Sequence, residues 1–307
     1  MKLRAYAKLN LTLDITGRRA DGYHLIDSVM QSVSLYDTVT VEKSPKIVVS
    51  SSDSSLCGEN NIAFSAARLF FEKTGLSGGA EIFIEKNIPY PAGLGGGSAD
   101  AAAVLKGLNA LYGAGLSENE LRALSLGIGA DIPFCISGGT ARVGGIGEKI
   151  KIMPFIGERW FVLANAGTKK STAQMYSRLD ASVNSPYVPV RALYTPKFIR
   201  MLEGGGADAA LRCCGNAFMF AYRTSPVFGL LRENGARTVS LSGSGPAAFG
   251  VFETKESAES AALRISSAGF KAFAVRSADC GTENIAGSED EMPGALTVGA
   301  SSAAQFC

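Results

Sequence analysis

Four glycines occupy the five positions from Gly93 to Gly97, and Ser98 and the alanine-rich run ADAAAVLKGLNALY follow without a break. A stretch so poor in side chains contributes little to a core, but it lets another group approach the backbone closely. Immediately after it, Val104, Leu105, Leu108, Leu111 and Tyr112 recur at helical spacing. The loop therefore opens a helix, whose first N–H groups and positive dipole end face whatever approaches. This reads as a cradle for phosphate, the plain alternative being a flexible turn before a helix. It is not a P-loop, because the Lys-Ser/Thr pair of that motif is missing, and its glycines do not fit GxGxxG.

Around this junction the chain reads as α+β. From Arg4 to Ile15 it alternates, with Ala5, Ala7, Leu9, Leu11, Leu13 and Ile15 on one side and Arg4, Tyr6, Lys8, Asn10, Thr12 and Asp14 on the other. That pattern predicts a half-buried strand. A turn cluster at 17–22, short strands near 31–35, 38–42, 46–50 and 81–86, and a helix over 60–73 follow. A helix near 118–126 ends at Gly127 and Gly129, which puts Asp131 just past a helix end, with Pro133 opposing continuation.

Strands near 142–143 and 160–164 lead to a softer stretch, 180–196, that carries three prolines. Helices are expected around 196–202, 216–221, 227–233 and 257–267, with strands at 238–241, 248–252 and 271–275. Domains are accordingly expected at 1–155 and 156–276, with 277–307 a mobile tail because its composition shifts to Ala, Gly, Ser and acidic residues without periodicity.

Composition removes several function classes. Thirty basic residues against 28 acidic ones leave a net charge of +2, no excess for sequence-independent binding of nucleic acid. The six cysteines have no CxxC and no regular spacing, and His24 is the single histidine, which argues against a disulfide framework, a zinc finger and an HExxH metalloprotease. No apolar run approaches the ~20 residues of a membrane span, and the N-terminus lacks a signal-peptide layout, so a cytoplasmic location is expected, without membrane, nucleic-acid or obligate protein partners.

Four further features matter jointly. Gly243-Ser244-Gly245-Pro246-Ala247-Ala248 formally satisfies GxGxxA, yet it lies between two strand-like segments, where a dinucleotide fingerprint must open a helix. It is either a structural turn or a wrap for a phosphate or sugar. Lys8 and Asn10 share one side of the first strand, roughly 6.5–7 Å apart. Taken alone, Lys8 would be solvated, Asp131 would cap its own loop, and His24, in DGYH, would be a surface or packed imidazole. Their appearance together with two glycine-rich loops favours a site.

Four blocks, AYAKLNLTLDI, PYPAGLGGGSADAAA, LGIGADIPFCISGGTA and LSGSGPAAFGVF, together resemble the GHMP small-molecule kinases in order and spacing over about residues 1–275. GRRADGYHLIDSVMQSVSLYD and GADIPF resemble the branch that phosphorylates the 2-hydroxyl of a cytidylated methylerythritol in non-mevalonate isoprenoid precursor synthesis. The resemblance implies a two-domain GHMP kinase fold, an N-terminal domain like ribosomal protein S5 domain 2 and a C-terminal ferredoxin-like α/β sandwich, with ATP and the cytidine diphosphate substrate in the cleft between them.

It also implies roles. Pro91-Ala92-Gly93-Leu94-Gly95-Gly96-Gly97-Ser98-Ala99 would hold the ATP phosphates, and Gly243, Ser244 and Gly245 would brace the cleft. Lys8 and Asp131 would act at the acceptor hydroxyl, which Asn10 would help to position. Tyr23 would stack on cytosine, His24 would hydrogen-bond it, and Tyr176 would be the second aromatic across the base. Magnesium would enter with ATP, with Ser98 as a contact and no second carboxylate ligand evident. Other GHMP kinases, acting on homoserine, mevalonate or a sugar, and a non-catalytic sensor on the same fold are the competing readings.

Overall fold

The computed structural model describes residues 1–169, 171–182 and 193–285. It begins with a long hairpin: β1 (Lys2–Arg18) and β2 (His24–Ser44) pair antiparallel from Lys2↔Thr40 to Arg18↔His24. The two short strands expected near 31–35 and 38–42 are thus one strand. Asp37 suggests a break in the sequence, but its carboxylate is satisfied in place, accepting from the backbone N–H groups of Asn87 at 2.6 Å and Ile88 at 2.8 Å.

A β-α-β unit follows, in which β3 (Val48–Ser51), α1 (Ile62–Thr74) and β4 (Gly79–Glu85) place β3 parallel to β4, and β4 pairs with the second half of β2. The side chain of Asn61 caps α1 by accepting from Ala63 N, and Gly75 ends it in the left-handed region. The glycine run then leads into α2 (Gly96–Tyr112), which is buried at Ala99, Ala101, Ala102, Ala103, Val104, Leu105 and Leu108. Its alanines keep it slim enough to be enclosed between the sheet and its neighbouring helices.

Next come α3 (Glu118–Ser125), opened by a Ser117–Glu120 capping box, and α4 (Ile132–Ser137). Here the sequence reading needs correction, because Asp131 is the residue that begins α4 rather than one left behind by α3. Pro133 lies in the first turn of α4, where its missing N–H breaks no helical bond. The strands β5 (Thr140–Gly145) and β6 (Lys149–Ile152) complete this half, with β5 on the first part of β2.

The second half holds β7 (Trp160–Asn165), α5 (Thr172–Ser182), α6 (Tyr194–Leu211), β8 (Gly215–Asn216), α7 (Val227–Glu233), β9 (Thr238–Leu241), β10 (Ala247–Phe252), α8 (Lys255–Ser267), β11 (Ala272–Ala278) and β12 (Thr282–Asn284). Its sheet order is β11-β7-β10-β9, all antiparallel. Helices α7 and α8 cover one face through Val227, Phe228, Leu231, Ala258 and Ile265, and α6 contributes Phe198 and Leu211 to a separate core. Helix α6 runs on past the glycines at 204–206, kinking at Gly206, whereas sequence stops it at 202. The helix expected near 216–221 is a 3-10 segment, Ala217–Tyr222.

The two sheets join at β11, whose Ser277 and Ala278 pair with Val33 and Ser32 of β2, and β12 then pairs with Leu3–Ala5 of β1. The tail expected from 277 is therefore sheet-paired as far as Asn284, and the rest of that expectation, 286–307, lies outside the described residues. Among the described residues Cys135, Cys213, Cys214 and Cys280 are free thiols. Among the described residues no helix is long and apolar enough to cross a membrane.

One strand belongs to all three cores: Leu3 and Ala5 to the first, Ala7, Leu9 and Leu11 to another, and Leu13 to a third. The expectation that β1 is half buried fails at its centre, where the polar residues Lys8, Asn10, Thr12 and Asp14 are all 3% exposed or less. The second half of the chain covers Asn10, Thr12 and Asp14, while Gly95 lies against the stem of Lys8. Thr12 Oγ1 meets Thr195 Oγ1 at 2.7 Å, and the carboxylate of Asp14 accepts from Tyr194 N and Thr195 N at 3.0 and 2.8 Å, holding the start of α6. Burial raises the Asp14 carboxyl above its ordinary range, and the two N–H donors oppose that rise.

Candidate active site

Lys8 is 2% exposed, and a lysine so placed requires partners. Its Nζ donates to Asn10 Oδ1 at 2.6 Å and pairs with Asp131 Oδ2 at 3.2 Å. Asn10 is itself held from both halves of the molecule. Its Nδ2 donates to Ser28 Oγ at 2.9 Å on β2, its Oδ1 accepts from Gly243 N at 2.9 Å, and its backbone N donates to Ser242 Oγ at 3.2 Å. Asp131 makes no side-chain cap bond to α4, and its carboxylate remains 31% exposed. Lys8 is fixed by the fold, and Asp131 presents one oxygen edge to solvent.

The glycine-rich loop docks onto the same strand, with Lys8 N donating to Leu94 O at 2.8 Å. Gly95, in the left-handed region at φ +73°, begins α2 without any side-chain cap, so the first N–H groups of a 17-residue helix are left to an external acceptor. The second glycine-rich loop, between β9 and β10, interlocks with the first: Ser242 Oγ donates to Gly93 O at 2.9 Å and Ala247 N donates to Ala92 O at 2.9 Å. The strand-loop-strand reading of GSGPAA holds, and the two loops are hydrogen-bonded to each other.

The interlock leaves no room for a side chain. A Cβ on Gly93, whose φ is +84°, would lie 2.5 Å from Ser242 O and 3.0 Å from Gly245 O. Gly93→Ala is expected to destabilise the protein by about 2–4 kcal/mol, combining left-handed strain with overpacking of backbone on backbone. Urea unfolding checks this, and an unchanged midpoint would show that the loops are not locked as described.

A cavity of about 900 Å³ opens above these residues, lined among others by Lys8, Asn10, Gly93, Ser98, Asp131, Tyr23, His24, Tyr176, Lys169, Asp180, Gly243 and Ser244. That volume suits a nucleotide-sized ligand. At its far end His24 Nε2 meets Asp180 Oδ1 at 2.7 Å, and the imidazole stacks on Tyr176 with ring centroids 4.6 Å apart. Tyr176 is propped edge-on by Phe218 at 5.0 Å. Tyr176 therefore backs His24 directly, rather than standing free as the opposite wall for a base, whereas Tyr23 is 62% exposed.

Sequence reasoning missed four groups. Asp180 and Lys169 lie on or just before α5, for which no helical pattern was evident. The other two are Asp37 and Asp100, which share the ammonium of Lys86, Asp37 at 2.5 Å and Asp100 at 2.7 Å, and so tie β2 and the first turns of α2 to the segment that enters the glycine loop. Burial, and then the charge of Asp37, push the Asp100 carboxyl well above its ordinary range, against the pull of Lys86. The signal available in sequence was the charged pair of positions 86 and 100 flanking the glycine run, but nothing local links either to Asp37.

Residues 61–139 match the GHMP kinases N terminal domain and residues 222–271 match the GHMP kinases C terminal domain. The chain is 40% identical over 272 residues to a 4-diphosphocytidyl-2-C-methyl-D-erythritol kinase of Caldicellulosiruptor bescii, covering 86% of this chain and 94% of that one. A crystal structure of a 4-(cytidine 5'-diphospho)-2C-methyl-D-erythritol kinase superposes with a TM-score of 0.73 at 34% identity, covering 90% of this chain and 99% of the other. Homoserine kinase from Cytophaga hutchinsonii shares the fold, with a TM-score of 0.69 at 17% identity.

Proposed function

The chain belongs to the 4-diphosphocytidyl-2-C-methyl-D-erythritol kinases, a branch of the GHMP kinases, and from that we infer the reaction its cavity carries out: transfer of the γ-phosphoryl group of ATP to the 2-hydroxyl of 4-diphosphocytidyl-2-C-methyl-D-erythritol, a step in isoprenoid precursor synthesis. The observation that carries the chemistry is the Lys8–Asp131 pair at 3.2 Å, beside the uncapped start of α2.

Phosphoryl transfer asks a protein mainly for alignment and charge neutralisation. In this reading the backbone of the glycine loop, Pro91 to Ala99, takes the ATP phosphates, and Lys8 offsets charge on the group in transit. The acceptor hydroxyl donates to Asp131. As its oxygen bonds to the γ-phosphorus and the bond to the β-phosphate oxygen breaks, its proton passes to that carboxylate and ADP leaves. Asn10 keeps the Lys8 ammonium at its station.

Among the described residues no group of three His, Cys, Asp or Glu side chains could hold a metal. Mg²⁺ would enter with the nucleotide as substrate, held chiefly by its phosphates, with Ser98, which lines the cavity, as the residue that would contact it; it would neutralise phosphate charge.

At the other end His24 reads the polar edge of cytosine, Tyr23 supplies a stacking face, and Tyr176 with Asp180 fixes the imidazole. His24→Ala is expected to raise KM for the cytidylated acceptor about tenfold or more with a smaller change in kcat, the loss of one directed hydrogen bond. The same variant should lose discrimination against the uridylated analogue. Steady-state kinetics with the two acceptors test this, and a variant that still discriminates as the parent does would remove His24 from base recognition.

A further inference from the structure

A second ammonium group acts on Asp131 from the cavity wall and has no part in the phosphoryl transfer described above. Lys169, on the segment between β7 and α5, lines the cavity and donates from Nζ to Ser244 Oγ at 2.9 Å; Ser244 Oγ also donates to Thr172 Oγ1 at 3.4 Å. Its charge interacts with those of Lys8 and Asp131. Lys8 is already matched to Asp131, so Lys169 leaves positive charge in surplus at that end of the cavity.

The other carboxylates on the wall are committed elsewhere. Asp21 pairs with Arg19 at 2.7 Å, Asp180 with His24 and Arg18, and Glu148 accepts from Ile146 N at 2.6 Å. A partly buried ammonium that is hydrogen-bonded to a hydroxyl, beside an aspartate already paired with Lys8, is stabilised by a further anion. It lines the same cavity as Gly93 and Ser98 of the glycine loop that the proposed reaction gives to phosphate, on the segment that leads to Thr172 and Tyr176.

We propose that Lys169 is a further phosphate-binding residue of this site, reaching from the second half of the molecule to clamp either the diphosphate of the acceptor or the phosphoryl group in transit. This rests on the kinase reading above. The two sources share one chemistry, and the measurements below tell them apart.

Protonation gives a further readout. Burial, then repulsion from Lys8, lowers the Lys169 ammonium to about 8, against the pull of Asp131. The charges acting on it are those of Lys8 on β1 and Asp131 at the start of α4; the other titratable groups on the cavity wall are Arg18 on β1, Asp21 and Tyr23 in the turn after it, His24 on β2, Glu148 between β5 and β6, and Tyr176 and Asp180 on α5. Burial pushes the Tyr176 phenol up to about 12, which removes it from that window. The protonated lysine binds the anion, so affinity for a phosphate ligand is full below about pH 8 and falls as pH rises through it.

The test uses the full chain and its variants K169M and K169R, with acceptor turnover followed as ADP release and binding of CDP and of cytidine followed by calorimetry. K169M is expected to lose about 10–100-fold in kcat/KM for the acceptor, the worth of a charge-assisted hydrogen bond, and K169R to recover most of it. If the acceptor diphosphate is held, K169M weakens CDP but not cytidine, and the CDP affinity of K169R no longer falls near pH 8. If the transferring group is held, CDP binding is unchanged and kcat alone falls.

Parental kinetics and CDP binding in K169M would overturn the proposal. Equal loss of cytidine and CDP binding in both variants would also overturn it, by assigning Lys169 to packing. Absence of turnover in the parent protein would instead count against the kinase reading, and the CDP-against-cytidine comparison would still decide whether Lys169 binds phosphate.

Discussion

Asp131→Asn is expected to lower kcat about 10²–10⁴-fold while leaving the folded structure and CDP binding close to those of the parent. The carboxylate makes no helix-capping bond and is 31% exposed, so the fold does not depend on it. Its amide isostere can still accept a hydrogen bond from Lys8, whose Nζ also keeps Asn10 Oδ1 at 2.6 Å. What the amide cannot do is take a proton from the acceptor hydroxyl. Initial rates of ADP release, read beside thermal unfolding, check this; near-parental turnover would take the proton-accepting role from Asp131.

Lys8→Met is the companion case, expected to reduce kcat/KM about 10²–10³-fold, as when a preorganised donor to a charged transition state is removed. Methionine keeps much of the length of the stem and needs no partner. The oxygen that Lys8 leaves on Asn10 retains its bond from Gly243 N at 2.9 Å, and Asp131 retains its access to solvent. Stability should therefore change by only about 1–2 kcal/mol, because replacing a buried charge by an apolar side chain is often near neutral when its partner is not stranded. Combined with Asp131→Asn, the loss should fall well short of the product of the single losses, since both act on one transferring group. Full multiplicativity would mean that they work independently.

Local backbone structure was legible in the sequence and long-range packing was not. The glycine run, the helix it opens and the strand-loop-strand setting of Gly243 to Gly245 depend on short-range backbone preferences, and each stands where sequence puts it. Period-two alternation in β1 correctly separates Leu9 and Leu11 from Lys8 and Asn10. It could not reveal that the polar side is also covered, because the cover arrives from Thr195 and Ser242, far along the chain.

The same distance hid Lys169 and Asp180, whose partners Ser244 and His24 are 75 and 156 positions away. At Asp131 the difficulty was local ambiguity. A proline two residues on signals either the end of one helix or the first turn of the next, and the spacing of the apolar residues does not choose between them. The strand β12 has only three residues, too few for any periodicity to register, and is defined by pairing with β1.

The most direct test of the account is ADP release by the purified protein with ATP and magnesium, comparing 4-diphosphocytidyl-2-C-methyl-D-erythritol with homoserine, mevalonate, galactose and no acceptor. Turnover is expected with the cytidylated acceptor and background rates with the rest. Equal or faster turnover with an acceptor lacking cytidine would contradict the base-reading end of the cavity, and no turnover with any acceptor would contradict the kinase assignment itself.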